Sequence, residues 1–249
     1  MQISAIIAAK EEAPTIRRVV EQVKKYVSEC IVVTPPDDFE TQSALDGVEC
    51  KILTEQKPGK GNAIVAGARV ANYEVLVFID ADLSHNPHDI PRLTLPITNG
   101  DCDHVVASRM LGGSSELFDT IPNFIRLIGS HVITTAINKK FGSRLTDSQN
   151  GFRAITRELF LSFKLCESHT TIEQELTART LASGHRMIEI PSHEFARVYG
   201  KSKIKVISHG FRYVVVLLKV LTWKRQKLYS PNEIATIQKR YTEVWYDKA

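Results

Sequence analysis

The segment Glu74 to Pro87 (EVLVFIDADLSHNP) sets two carboxylates, Asp80 and Asp82, directly behind an apolar run, Val75 to Ile79, that reads as a buried strand. Ligands of open α/β sheets bind beyond the carboxyl ends of the strands, so the pair would stand where a substrate arrives. Side chains at i and i+2 of an extended chain point the same way, and two ionised carboxylates side by side are costly unless a cation bridges them. Oxygen donors of this kind suit Mg²⁺ or Mn²⁺, ions that leave positions open for substrate phosphates. The plainer reading makes either aspartate a cap for the turn before Asn86-Pro87; the strand in front of them favours the cation. A second segment, GKGNAIVAG from Gly59 to Gly67, opens a helix with a glycine-rich turn. Its glycines allow close backbone approach, the helix N-terminus favours an anionic oxygen, and Lys60 adds a point charge. The same pattern also describes a plain turn before a helix. The spacing of a Walker loop is missing, which removes the main support for an ATPase.

The elements that must position these residues are legible from periodicity. Ile3 to Ala9, Cys30 to Thr34 and Val75 to Ile79 are nearly continuous apolar runs, and Val48 to Thr54, Asp103 to Ser108, Gly151 to Thr156 and Arg186 to Ile190 complete a set of strands. Thr15 to Tyr26 and Asn62 to Val70 carry apolar residues at helical spacing, and Ile121 to Lys140 and Ile172 to Ser183 read as longer helices. Strand then helix, repeated, predicts βαβ units, a mostly parallel sheet and right-handed crossovers. At 249 residues, 43% hydrophobic and 24% charged, the chain has room for one large α/β domain and is far from a disordered or fibrous composition. Its longest apolar run is the six residues Tyr213 to Leu218, well short of the roughly 20 a bilayer span needs, and no leader pattern follows Met1. Four widely spaced cysteines form neither a metal knuckle nor a disulfide scaffold, so a reducing, cytoplasmic setting is expected.

Charge is uneven. From Phe195 to Asn232 there are nine basic residues and no acidic one, whereas the rest of the chain is mildly acidic. Such a local basic stretch suits a phosphate or an anionic lipid face, or is a solvated surface; a nucleic-acid platform is not indicated, because no recognition motif accompanies it. Within it, Val206 to Trp223 forms an amphipathic helix with Ile207, Phe211, Val214, Val215, Leu218 and Leu221 on one side, a pattern that fits either a membrane interface or packing on a sheet. Lys224, Arg225 and Lys227 behind Trp223 favour the interface.

DADLSHNP resembles the D-x-D segment of the inverting family 2 glycosyltransferases of the GT-A fold, above all the version found in dolichyl- and polyprenyl-phosphate hexosyl transferases. Further segments follow in that family's order. Ile6 to Ile16 is similar to its first-strand segment, with Glu12 in place of the family glutamate, while Ala8, Lys10 and Glu11 stand where proline, tyrosine and asparagine are usual. GKGNAIVAG matches a stretch near the nucleotide, and ASRM (Ala107 to Met110) a G-S-R stretch. Arg126 and Ser130 match a helix of the acceptor pocket, DSQNGFRA (Asp147 to Ala154) a D-x-x-x-G-F-[RK] segment, and Thr171 to Pro191 the helix and strand after it, with Glu173 and Glu175 its acidic positions. RVYGKSKIK (Arg197 to Lys205) is similar to the loop that closes on the donor diphosphate. The likeness runs from Ile6 to near Trp223, and one departure stands out: Thr34 occupies the position of the aspartate that contacts the base.

The resemblance implies a GT-A domain over residues 1–204, with amphipathic and terminal helices over 205–249, and an enzyme that moves a hexose, with inversion, from a nucleotide-diphosphate sugar to a polyprenyl or dolichyl phosphate. It assigns Asp80 and Asp82 to the Mg²⁺ or Mn²⁺ ion; Ala8, Lys10, Glu12, Lys60, Asp80, Arg197 and Lys203 to the donor; and Arg109, Arg126 and Ser130 to the acceptor phosphate. Asp82, Asp147 and Arg197 are then the catalytic set. A phosphate nucleophile is anionic already and needs alignment more than proton removal, so Asp147 would orient the acceptor. The expected place is the cytoplasmic membrane face, reached through the basic helix or an anchoring subunit. Two rival readings stand beside this one: a family 2 transferase with a soluble or glycan acceptor, in which Asp147 or a nearby acid is a true base, and a non-catalytic nucleotide-sugar-binding or membrane-docking subunit.

Overall fold

The computed structural model describes residues 2–116, 121–200, 206–226 and 229–246; Lys203 lies outside the described residues. The apolar runs form strands β1 (Ile3–Ala8), β2 (Glu29–Thr34), β3 (Lys51–Thr54), β4 (Val75–Phe78), β5 (His104–Ser108), β6 (Arg153–Thr156) and β7 (Met187–Pro191) of one sheet, in the order β3-β2-β1-β4-β6-β5-β7. All neighbours pair in parallel except β6, which runs antiparallel to both β4 and β5. The chain winds outward from β1 through β2 to β3, then returns to place β4 on the other side of β1. The segments leaving β1 and β4 therefore diverge, and the crevice between them is the switch point where open sheets take ligands.

The helices are α1 (Ala13–Val23), α2 (Phe39–Ser43), α3 (Lys60–Val70), α4 (Ile90–Thr98), α5 (Arg109–Gly112), α6 (Ile121–Phe141), α7 (Arg157–Ser162), α8 (Ile172–Ala182), α9 (Val206–Leu221) and α10 (Pro231–Tyr246). On one sheet face Ile16, Val19, Val20 and Val23 of α1 join Ile90, Leu93 and Ile97 of α4. Ile64 and Ala68 of α3 pack on the other face with Phe160, Ile172 and Leu176. A third cluster joins Ile133, Ile137 and Phe141 of α6 to Val216 and Val220 of α9 against Val106 and Met187. Each fully buried side chain of this size contributes roughly 1.5–3 kcal/mol. Gly67 lets α3 lie close on the sheet, since a Cβ there would stand 2.6 Å from Ile6 Cγ2 and 3.1 Å from Val33 Cγ2.

The outer edge of β7 is covered by α10. Gln238 pairs with the Glu189 backbone as a strand would: the Glu189 N–H donates to Gln238 Oε1 at 2.6 Å, and Gln238 Nε2 donates to the Glu189 carbonyl at 2.6 Å. Unpaired edges invite association, and this side chain closes one.

Candidate active site

β4 delivers Asp80 and Asp82 to the crevice, as its apolar run implies. Lys60, the first residue of α3, places its ammonium 2.5 Å from Asp80 Oδ1 and 2.8 Å from Glu173 Oε1. His85, stacked on Phe152, holds Nε2 3.6 Å from Asp80 Oδ2. Gly151 makes room for this cluster, because a Cβ there would come within 2.6 Å of Lys60 Nζ and 3.0 Å of Asp80 Oδ2. Burial by itself would raise the Asp80 carboxyl, but Lys60 and then His85 outweigh it and hold the group well below the usual carboxylate range. Burial likewise disfavours the Lys60 ammonium, and Asp80 and Glu173 more than offset it. Lys60 and Asp80 are thus a charged pair.

Asp82 is held from two sides. Ser84 donates its backbone N–H and its hydroxyl to Oδ1 at 3.0 and 2.6 Å, and Arg197 Nη2 lies 2.8 Å from Oδ2. The turn that allows this puts Leu83 at φ +64°, a left-handed conformation costly for a side chain of its kind and characteristic of functional loops. Arg197 also reaches toward Glu12 Oε1 at 3.9 Å, which ties the segment after β7 to the start of α1. Lys60 is thus shared by Asp80 and Glu173, and Arg197 by Asp82 and Glu12. Among the described residues no three His, Cys, Asp or Glu side chains gather as a cage, so a metal here would take Asp80 and Asp82 and complete its shell from substrate or water, as Mg²⁺ commonly does.

Beyond the β5 end lies a second cluster. Arg109 donates from Nε and Nη2 to the two oxygens of Asp147 at 2.6 and 3.0 Å, a bidentate pair, and Nη1 lies 3.4 Å from Glu194 Oε1. Burial would raise the Asp147 carboxyl, but Arg109 holds it below its ordinary value. Ser114 donates to Glu194 Oε2 at 2.6 Å. Glu116, half-buried, is pushed up by burial and by Glu194, and has Arg197, Arg126 and Asp82 as further charged neighbours, so the two clusters adjoin. Arg126 and Ser130 sit one turn apart on α6, with Arg126 Nη1 donating to Asn123 Oδ1 at 3.2 Å.

Lys10 and Ala8, also expected at the donor, take no part in these ion pairs. Lys10 lies out in solvent with Glu11, 3.7 Å away, and Ala8 at the end of β1 packs against the α3-side core. The close approach at Gly59 and Gly61 is made by protein: a Cβ at Gly61 would sit 2.2 Å from the Glu167 carbonyl oxygen, and the Gly61 N–H already donates to the Ser168 carbonyl at 2.8 Å. Thr34, at the position of the missing aspartate, is buried and its hydroxyl has no hydrogen-bond partner. His85, Glu194, Glu189 and Arg153 received no role from the sequence. Arg153, at the [RK] position of DSQNGFRA, sits in β6 at 1% exposure and donates to the carbonyls of Asn150 and Glu173 and to Thr177 Oγ1. Burial pulls its guanidinium down to about 10 against the pull of Glu173, Asp147 and Asp80.

The model of glycosyl transferase family 2 matches residues 4–162, and the chain belongs to that family. The chain is 28% identical over 219 residues to the undecaprenyl-phosphate mannosyltransferase of Micrococcus luteus, covering 82% of this chain and 88% of that protein. It is 25% identical over 234 residues to the dolichol-phosphate mannosyltransferase of Pyrococcus furiosus, covering 90% of this chain and 65% of that protein. Its fold is shared with glucosyl-3-phosphoglycerate synthase of Mycobacterium tuberculosis, solved with Mn²⁺, UDP and phosphoglyceric acid: the TM-score is 0.72 at 18% identity, over 90% of this chain and 80% of that one. The chain is a glycosyltransferase of the GT-A fold.

Proposed function

We propose that the chain transfers a hexose, with inversion, from a nucleotide-diphosphate sugar to a polyprenyl or dolichyl phosphate, with Mg²⁺ or Mn²⁺ bound at Asp80 and Asp82. The observation that carries this reading is that each strand-tip aspartate faces a cation, Lys60 at 2.5 Å from Asp80 and Arg197 at 2.8 Å from Asp82. A divalent ion entering with a diphosphate adds little net charge to the site, and when bound it would supply charge stabilisation for the leaving diphosphate. Lys60 and Arg197 are then the cations free to face the phosphates, with Lys203 joining them from the same stretch of sequence. Glu12 keeps Arg197 within reach of the donor.

Arg109, Arg126 and Ser130 receive the acceptor phosphate. Asp147, fixed to Arg109 by two hydrogen bonds and held below the usual carboxylate range, is a poor proton acceptor and an effective clamp. An acceptor that arrives already ionised suits such a site, whereas a sugar hydroxyl would require a base. The names of the relatives support a lipid-linked phosphate, and so does the surface. α6 exposes Ile121, Phe124, Ile125, Ile128 and Val132, a stripe at helical spacing, 50–78% exposed. Beside it α9 exposes Phe211, Val214, Val215 and Leu218. The two helices pack on each other through their other faces, and each leaves an exposed apolar stripe suited to the interface of an anionic membrane. Among the described residues no helix is long and apolar enough to cross a membrane, so contact is through this face or an anchoring subunit.

The acceptor chemistry shared by lipid and soluble candidates is a phosphate monoester, and transfer of radiolabelled hexose tells the sources apart. A panel of nucleotide sugars is offered with polyprenyl phosphate in detergent and, separately, with phosphoglyceric acid. Label in the organic phase that disappears with EDTA supports the proposal. Label only on the soluble acid would replace the lipid, and no transfer from any donor would favour a binding subunit.

A further inference from the structure

We propose that Glu189 is the positioning residue of the acceptor site, a buried carboxyl on β7 that sets the direction of the Arg109 guanidinium without touching substrate. This rests on the assignment of Arg109 to the acceptor phosphate. Glu189 is 2% exposed, and its side-chain oxygens reach one place, the turn that carries Asp147. Oε1 accepts the Asp147 N–H at 2.7 Å; Oε2 accepts the Thr146 N–H at 2.7 Å and the Thr146 hydroxyl at 2.9 Å. Two routes lead from there to Arg109. Asp147 grips the guanidinium with both oxygens. Thr146 Oγ1 meets Ser108 Oγ at 2.6 Å, and Ser108 caps α5, whose first residue is Arg109, by accepting the Leu111 N–H at 3.3 Å. One carboxyl therefore supports both the clamp and the helix that bears the clamped residue.

The arrangement is more than packing. A buried acid without a cation beside it is costly, and an apolar residue on β7 would fill the space at less expense. Burial pushes the Glu189 carboxyl up to about 8, against the pull of its backbone hydrogen bonds. Three donors converge on it, a demand that only a group with two acceptor oxygens meets. Glutamine offers one oxygen and one NH₂, so in either orientation a backbone N–H of the turn faces an amide donor. The strand itself is held against drift, because Gln238 pairs with both the N–H and the carbonyl of Glu189.

The test is Glu189→Gln, followed by the ¹H–¹⁵N resonance of the Arg109 Nε–H, which reports its hydrogen bond to Asp147, and by steady-state kinetics. The expected result is a displaced Arg109 resonance and an acceptor KM raised about tenfold or more, as small misplacements of a phosphate clamp produce, with Mn²⁺-nucleotide affinity unchanged. Retained nucleotide binding also shows that the variant is folded. Should it not fold, Thr146→Val removes one of the three donors and the Ser108 link, and the same resonance should move by a smaller amount. An unmoved Arg109 resonance in the folded variant overturns the proposal, as does an equal loss of nucleotide affinity, which would mark Glu189 as general scaffolding. A moved resonance with unchanged acceptor KM upholds the positioning role and overturns instead the assignment of Arg109 to the acceptor.

Discussion

Asp82 joins the segment after β7 to the strand tip, because its two oxygens are divided between Ser84 and Arg197. Asp82→Asn keeps an oxygen for Ser84 but loses the charge, so transfer should fall by about a thousandfold, several kcal/mol in the barrier, while the melting temperature changes little. Arg109→Lys tests the other half of the site. A lysine cannot span both oxygens of Asp147, and acceptor turnover should drop about a hundredfold with nucleotide binding intact. Glu189 gives a prediction in pH. In the folded protein burial lifts it to about 8 from the ordinary 4.5, so its contribution to stability is full below pH 4.5 and is lost as pH rises through 8. His85, raised above 6.5 chiefly by Asp80 against burial, has the same sign and persists in a Glu189 variant. Urea unfolding from pH 5 to pH 9 should show the wild type losing stability faster than Glu189→Gln, by on the order of a few kcal/mol; parallel curves would contradict it.

At the scale of elements, the long strands and helices are legible because burial on both faces leaves apolar runs and burial on one face leaves a helical stripe. The run Val75 to Ile79 reads as a buried strand, and β4 is the middle strand of the sheet. The short helices are harder to see. α4 carries Pro91 in its first turn and Pro96 inside it, so local propensity argues against the helix that Ile90, Leu93 and Ile97 stabilise by packing on the sheet. The glycine-rich turn is legible as a turn and misleading as to its neighbour: the Gly61 N–H that a phosphate would seek is taken by the Ser168 carbonyl. The pairing of Lys60 with Glu173, and of Arg109 with Glu194, joins residues more than 80 positions apart that no local pattern connects. Gly67 offers a direct check on the fold. Gly67→Ala would press a methyl against Ile6 and Val33, and denaturant unfolding should register a loss of about 1–3 kcal/mol; an unchanged midpoint would mean that α3 lies farther from the sheet.

At the scale of the molecule, the proposed chemistry and the proposed membrane contact would share one helix. α6 carries Arg126 and Ser130 and, on its exposed side, Phe124, Ile128 and Val132, so the helix that would receive the acceptor phosphate would also meet the membrane that holds its lipid. Replacing Ile128 and Leu218 together by glutamate should weaken co-sedimentation with phosphatidylglycerol vesicles by about tenfold or more and leave nucleotide affinity unchanged; undiminished sedimentation would remove this face from the account. The strand tip decides the rest. Isothermal calorimetry of UDP and GDP, with and without Mn²⁺, against the wild type and Asp82→Asn measures it most directly. Binding of one diphosphate that needs Mn²⁺ and is lost in the variant is the result expected from aspartates that exchange Lys60 and Arg197 for a metal and its substrate. Equal affinity without the ion, or in the variant, would contradict that exchange.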